Sequence, residues 1–213
     1  MTTIRPIHLL CDMDGTLIDT EGIKAEAWRR AVTDALGHEP DRNEYERLYS
    51  EYAGAPGSEM AKWFVAHYGL RVEPNALFDG RERYRREAYA DRKELARRVY
   101  GPLVAVIQRL RDGLGVLGSG STVLVTTASQ EQVDQIMEAT DLRDLFDDIV
   151  CGLEKSADNP ACYREALKRL GAEPIDCIAI EDTVVGYEAA RALGIPCLLL
   201  PNAYTRGQRL RDS

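Results

Sequence analysis

Residues 11–20 read CDMDGTLIDT and follow the apolar run IHLL, so a short hydrophobic stretch ends abruptly in aspartates Asp12, Asp14 and Asp19. An apolar run of this length bounded by charge predicts a buried strand. Residues i and i+2 of a strand point to the same side, which puts Asp12 and Asp14 together at the strand's mouth. Gly15 then allows a turn that a residue with a Cβ resists. Two carboxylates this close need a counter-charge, and a hard divalent cation such as Mg2+, which prefers oxygen ligands, supplies it. A second acidic pair, Glu181 and Asp182 in IEDTVVG, follows the apolar run Cys177 to Ile180. In a parallel sheet the ends of two such strands can converge on one ion.

Further apolar runs, VLVTT, DIVCG and PCLLLP, bring the predicted strands to five together with IHLLC and CIAIED. Between the later runs lie helical patterns at Glu131–Ala139, Pro160–Leu170 and Gly186–Leu193. Strands alternating with helices predict an α/β fold, a doubly wound parallel sheet whose chemistry sits at the carboxyl ends of its strands. Thr20 to Tyr100 breaks the alternation with helical patterns alone. Ala27, Trp28, Ala31, Val32 and Ala35 recur at helical spacing, Ser58 is placed to cap a helix carrying Met60, Trp63, Phe64 and His67, and a long charged helix is expected over Arg81–Arg98. This predicts an α-helical cap, residues 20–100, inserted into a core made of residues 1–19 and 101–213, with hinges at Asp19 and at Gly101-Pro102. The GLGVLGSGS run, Gly113–Ser121, reads as a flexible loop.

Composition bounds the function. With 213 residues and 45% hydrophobic content, the chain can bury one substantial core. A net charge of −8 argues against nucleic-acid or anionic-membrane surfaces as partners. No apolar run reaches the roughly 20 residues of a membrane span, and the N-terminus lacks a secretory pattern. The five scattered cysteines, Cys11, Cys151, Cys162, Cys177 and Cys197, predict buried thiols in a reducing cytoplasm. A monomer is favoured.

The acidic constellation invites phosphoryl transfer. One carboxylate can attack phosphorus and carry the phosphoryl group, and its neighbour can protonate the leaving oxygen and later activate water. Thr126, Thr127 and Lys155, which follow the second and third predicted strands, are available donors to the phosphoryl oxygens.

At this point the chain resembles the haloacid dehalogenase superfamily, in its beta-phosphoglucomutase-like, phosphatase-rich branch. DMDGTLIDT resembles the first motif, VLVTTAS the second, and IEDTVVGYEAARALGIP the fourth. The resemblance implies a nucleophile at Asp12, a general acid/base at Asp14, a phosphate-binding hydroxyl at Thr127 (Thr126 is the competing register) and a third-motif lysine at Lys155. It implies Mg2+ held by Asp12, the backbone carbonyl of Asp14, Glu181 and Asp182, and substrate contacts at Lys24, Gly54, Gly57 and Ala128. The substrate it implies is a small phosphorylated metabolite.

Two departures qualify the match. KSADNPACY lengthens the gap between Lys155 and Tyr163 relative to the family's third motif. DTEGIKAEAW places Lys24 where the sugar phosphomutases carry histidine, and AGAPGSEM supplies no arginine, which favours hydrolysis over isomerisation. Asp19 reads as a helix cap or hinge brace, Trp28, Trp63 and Phe64 as cap core, and the arginine-rich run as a solvated face.

Overall fold

The computed structural model describes residues 6–112 and 120–209. Five strands, β1 (His8–Cys11), β2 (Thr122–Val125), β3 (Asp148–Val150), β4 (Cys177–Glu181) and β5 (Cys197–Leu199), form one sheet in the order β3-β2-β1-β4-β5. Every pairing is parallel. Parallel strands require both faces to be covered. Leu9 and Cys11 pack on one side with Ile107, Val133 and Ile136, from α6 (Gly101–Arg111) and α7 (Gln130–Thr140). Leu10, Val123 and Val125 pack on the other with Cys162 and Ala189, from α8 (Ala161–Leu170) and α9 (Val184–Ala192). The chain runs outward from β1 to β3, then returns to β4 on the far side of β1. The strand order therefore reverses beside β1, which opens a crevice at the carboxyl ends of β1 and β4.

Between β1 and α6 lie α1 (Glu21–Leu36), α2 (Arg42–Tyr52), α3 (Gly57–Tyr68), α4 (Pro74–Tyr89) and α5 (Arg92–Arg97). The first four share a hydrophobic cluster in which Trp28 and Phe64 are buried with ring centroids 5.2 Å apart. Trp63 is partly buried and stacks on Tyr52 at 3.9 Å. Burial of each such side chain contributes roughly 1.5–3 kcal/mol, so these helices hold together by packing of their own.

Several expectations need correction here. The long helix over Arg81–Arg98 is two helices, because Asp91 accepts from the Glu94 backbone N–H at 3.0 Å and starts a new one. Arg81 and Arg85 of that arginine-rich run are buried rather than part of a solvated face. Ser58 lies inside the first turn of α3, and Pro56 occupies the cap position without a side-chain bond. Thr20, not Asp19, stands at the start of α1. Asp19 instead braces the chain crossing. Its backbone N–H donates to Arg98 O at 2.9 Å, Tyr100 N–H donates to Leu17 O at 3.0 Å, and Ile18 bridges Val99 in antiparallel fashion. Gly101 and Pro102 belong to the first turn of α6 rather than to a linker. Cys151 and Cys197 are only partly buried, and all five cysteines are free thiols. Of the predicted Gly113–Ser121 loop, residues 113–119 lie outside the described residues. No helix among the described residues is long and apolar enough to cross a membrane.

Candidate active site

β1 runs on into Asp12, whose backbone N–H donates to Ile180 O at 3.0 Å and so ties the end of β1 to β4. The chain then turns sharply. Leu17 and Ile18 N–H both donate to Met13 O, at 2.9 and 3.1 Å, and Gly15 N–H donates to Ile18 O at 2.8 Å. Gly15 adopts φ +82°, and a Cβ there would lie 2.3 Å from Asp182 Oδ2. Only glycine meets both demands.

The turn separates the two aspartates. Asp12 faces Lys155, while the Asp14 carboxylate accepts from the Thr20 hydroxyl and lies 3.1 Å from Lys24 Nζ. Burial pushes the Asp14 carboxyl up, but Lys24 and Thr20 outweigh it and hold it below the usual aspartate value. Lys24, expected to contact the substrate, lies beside Asp14 and 2.8 Å from Glu21.

Lys155 donates to the Asp12 carboxylate, lies 2.8 Å from Glu181 and reaches Val125 O at 3.2 Å. Burial works against its ammonium, yet Asp12 and Glu181 raise its pKa above the usual lysine value. The lengthened third motif is absorbed locally. Asn159 N–H donates to Ser156 Oγ at 3.1 Å, Asn159 Nδ2 donates to Glu154 at 2.8 Å, and Cys162 N–H donates to Glu154 O at 3.0 Å. The extra residues thus close a side turn, and Tyr163 still reaches the site, donating its hydroxyl to Glu181.

At the end of β2, Thr126 is buried and Thr127 exposed. Thr126 Oγ1 accepts from the Ala128 N–H at 3.1 Å. The Ala128 amide therefore has a protein partner rather than standing free for substrate. Ser129 caps α7 through a reciprocal bond with Gln132, so Thr127 stands just before a helix N-terminus. Gly54, at φ +90°, approaches Thr183 so closely that a Cβ would sit 3.0 Å from its methyl. Gly57 packs inside the helical layer, where a Cβ would lie 2.5 Å from the Phe78 ring. Gly54 thus borders the motif that holds Asp182, whereas Gly57 serves packing.

A family model for haloacid dehalogenase-like hydrolases matches residues 8–194. The chain belongs to this family. It is 29% identical over 96% of its length to the protein CbbY of Cereibacter sphaeroides, of which it covers 91%. It is 27% identical over 90% of its length to fructose-1-phosphate phosphatase YqaB of Escherichia coli K12, covering 94% of that protein. Among solved structures, CbbY from Rhodobacter sphaeroides in complex with phosphate superposes with a TM-score of 0.69 at 26% identity, over 96% of this chain and 90% of that one.

Haloacid dehalogenase-like hydrolases use a divalent metal, and the donor set in this one fits such an ion. Asp12, Glu181 and Asp182 are buried and each offers a carboxylate oxygen within 4.8 Å of the others. Without a cation the crowding is costly. Burial, then Asp12, Glu21 and Glu181, pushes Asp182 up to about 9. Burial, reinforced by Asp12 and opposed by Lys155, pushes Glu181 up to about 7. The Asp14 carboxylate stands outside this cluster, turned to Lys24.

Three residues of the hydrolase site escaped the sequence reading. Asn202 Nδ2 donates to Asp182 Oδ2 at 2.7 Å, and Thr16 Oγ1 donates to Asp182 Oδ1 at 3.4 Å. Thr20 holds Asp14. Thr16 and Thr20 lie within the quoted motif, where their hydroxyls were a usable signal. Asn202 follows β5 in a loop of no distinctive pattern.

Proposed function

We propose that this hydrolase is a Mg2+-dependent phosphatase acting on a small phosphorylated metabolite through an aspartyl phosphate on Asp12. The observation that carries this reading is the separation of Asp12, paired with Lys155, from Asp14, paired with Lys24. One carboxylate belongs to the buried acidic cluster with Glu181 and Asp182 and the other stays outside it, a division of labour suited to nucleophile and acid/base. The similarity to proteins named as sugar-phosphate phosphatases supports the substrate class.

In the proposed reaction an Asp12 oxygen attacks phosphorus and the bond to the leaving oxygen breaks. Lys155 and the Thr127 hydroxyl hold the phosphoryl oxygens. Asp14, which Lys24 and Thr20 hold ionised at rest, first takes up a proton from solvent, passes it to the leaving alcohol, and, ionised again, takes one from the water that cleaves the acyl phosphate. A bound Mg2+, held by Asp12, Glu181, Asp182 and the Asp14 carbonyl, would supply charge neutralisation at the phosphoryl oxygens. Its ionised state, favoured by Lys24, suits Asp14 to the second step.

In this reading residues 20–100 are a cap that closes over a core of residues 1–19 and 101–213, moving about the paired segments at Ile18 and Val99. The free thiols support a reducing cytoplasm. The test is a phosphate-release screen over phosphorylated metabolites with Mg2+, against an Asp12→Asn control. Phosphate release from at least one sugar phosphate, absent in the control, is the expected result. Isomerised sugar phosphate forming faster than inorganic phosphate would overturn the reading in favour of a phosphomutase.

A further inference from the structure

The loop that follows β5 is bonded to itself. Asn202 N–H donates to Thr205 Oγ1 at 3.0 Å, Thr205 N–H donates back to Asn202 Oδ1 at 3.2 Å, and Gln208 N–H donates to Thr205 O at 3.0 Å. Thr205, at the centre of these bonds, is buried. Three side chains leave this closed turn and reach different parts of the molecule. Asn202 Nδ2 donates to Asp182 Oδ2 at 2.7 Å. Tyr204 packs against the hydrophobic cluster of the layer formed by α1 to α4, edge-on to Tyr49 of α2 with ring centroids 5.5 Å apart. Gln208 Nε2 donates to Ala53 O at 2.6 Å, and its Oε1 accepts from Val184 N–H at 3.0 Å.

The two bonds of Gln208 join two helix ends. Ala53 follows the last residue of α2, and Val184 is the first residue of α9. Carbonyls at a helix C-terminus and N–H groups in a first turn lack partners within their own helix. A side-chain amide donates at one atom and accepts at the other, so Gln208 satisfies one group of each helix. Beside it, a Cβ on Gly54 would lie 3.0 Å from the Thr183 methyl, so the segment after α2 rests on the turn that carries Asp182. A shift of α2 away from the sheet would break the Gln208–Ala53 bond and part Tyr204 from Tyr49. The turn those two residues belong to is the one that holds Asp182.

We propose that Asn202, Tyr204 and Gln208 are positioning residues that couple the helical layer to the cation site. The layer, seated as it is here, fixes Asp182 for the ion, and the bound ion in turn keeps the layer seated. This rests on the reading of residues 20–100 as a moving cap and of Asp182 as a metal ligand. Coupling of this kind is reciprocal: if the position of the layer changes cation affinity, the cation changes the position of the layer by the same factor. A turn bonded to itself carries the coupling because it moves as one piece, whereas an open loop would absorb a displacement in its own torsions.

The test uses Mg2+ alone, without substrate. Amide hydrogen exchange is followed at residues 49–58 with and without the ion, and Mg2+ affinity is measured by calorimetry. In the wild type Mg2+ should slow exchange in this segment several-fold. Gln208→Glu keeps the acceptor for Val184 N–H and loses the donor to Ala53 O, so it cuts the tie to the helical layer alone. It should abolish the slowing and weaken Mg2+ binding about 5-fold or more, the low end of usual coupling factors. The added negative charge would by itself act the other way and strengthen binding of a cation. Tyr204→Leu, which removes the ring contact with Tyr49, should shift both readouts in the same direction and decides the matter if Gln208→Glu does not fold. Exchange that ignores Mg2+ in a wild type that binds the ion overturns the coupling and leaves the phosphatase reading standing. So does a slowing, or an affinity, that survives both substitutions unchanged. A wild type that binds no Mg2+ overturns the coupling and the metal site together. Phosphate release by the wild type is scored separately, and its absence with the coupling intact would sink the phosphatase reading alone.

Discussion

Lys24 Nζ lies 3.1 Å from Asp14 Oδ1, so a cation from the first helix after the motif rests directly on the carboxylate proposed as acid/base. The same ammonium lies 2.8 Å from Glu21, which anchors it from the other side. A lysine held this way acts on catalysis through Asp14. Lys24→Met should therefore lower kcat about 10- to 100-fold, part of the roughly 10²–10⁴-fold that a positioned acid/base contributes, with KM changed little. A lysine that instead grips substrate would raise KM and spare kcat. Steady-state kinetics on the best substrate of the screen separate the two.

Asp12→Asn keeps the side chain's shape and removes the attacking charge. Turnover should fall at least about 10³-fold, as for other groups essential to covalent catalysis. Single-turnover phosphate release is the measurement. A residual rate above a tenth of wild type would exclude Asp12 as nucleophile.

Glu181 and Asp182 predict how stability depends on pH and metal. Their folded-state pKa values, about 7 and about 9, stand above the ordinary carboxylate values. The folded metal-free protein therefore holds protons that the unfolded chain has lost, and its stability falls as pH rises from about 4 through about 9. Chelated protein should show a falling Tm across pH 5 to 9. Mg2+ should restore it, with a gain that grows with pH because the ion competes with those protons. Ca2+ should bind without supporting turnover, because it takes more ligands at longer distances. A Tm of chelated protein that rises with pH over this window would contradict the carboxylate cluster.

Gly186 sits in α9, where alanine would ordinarily add about 0.5–1 kcal/mol of stability. A Cβ there would lie 2.1 Å from Glu181 Oε2. Overpacking of this kind costs roughly 1–3 kcal/mol, so the clash outweighs the propensity gain. Gly186→Ala should lower Tm and raise the Mg2+ concentration needed for half-maximal activity. A stabilised variant with unchanged Mg2+ dependence would show that Glu181 can move without consequence.

Much of this protein was legible in the chain because its determinants are local. Four of the five strands fall within the apolar runs read from the sequence, β2 starts one residue before its run at Thr122, and α7, α8 and α9 lie within a residue or two of their expected bounds. Hydrophobic period and turn chemistry depend on neighbours a few residues away, which a sequence displays directly. The same holds for Asp12, Asp14 and the Glu181-Asp182 pair, each placed by a strand that ends where its apolar run ends. The break at Asp91 was local too, but its signal, a capping aspartate inside a charged run, was weaker than the run's overall helical character. What the chain alone left undecided concerns long side chains and their partners. Lys24, Lys155, Arg81 and Arg85 each have several rotatable bonds and could point to solvent, substrate or protein. Their partners are chosen by which carboxylates the fold brings near, at separations such as the 143 residues between Asp12 and Lys155. Asn202 meets Asp182 only because β5 lies beside β4 and returns its following loop to the mouth of the sheet. The sequence by itself determined which strands end in acid. Only the packing of distant segments decided which cation answers each one, because charge pairing acts through space and buried charge leaves little choice of partner.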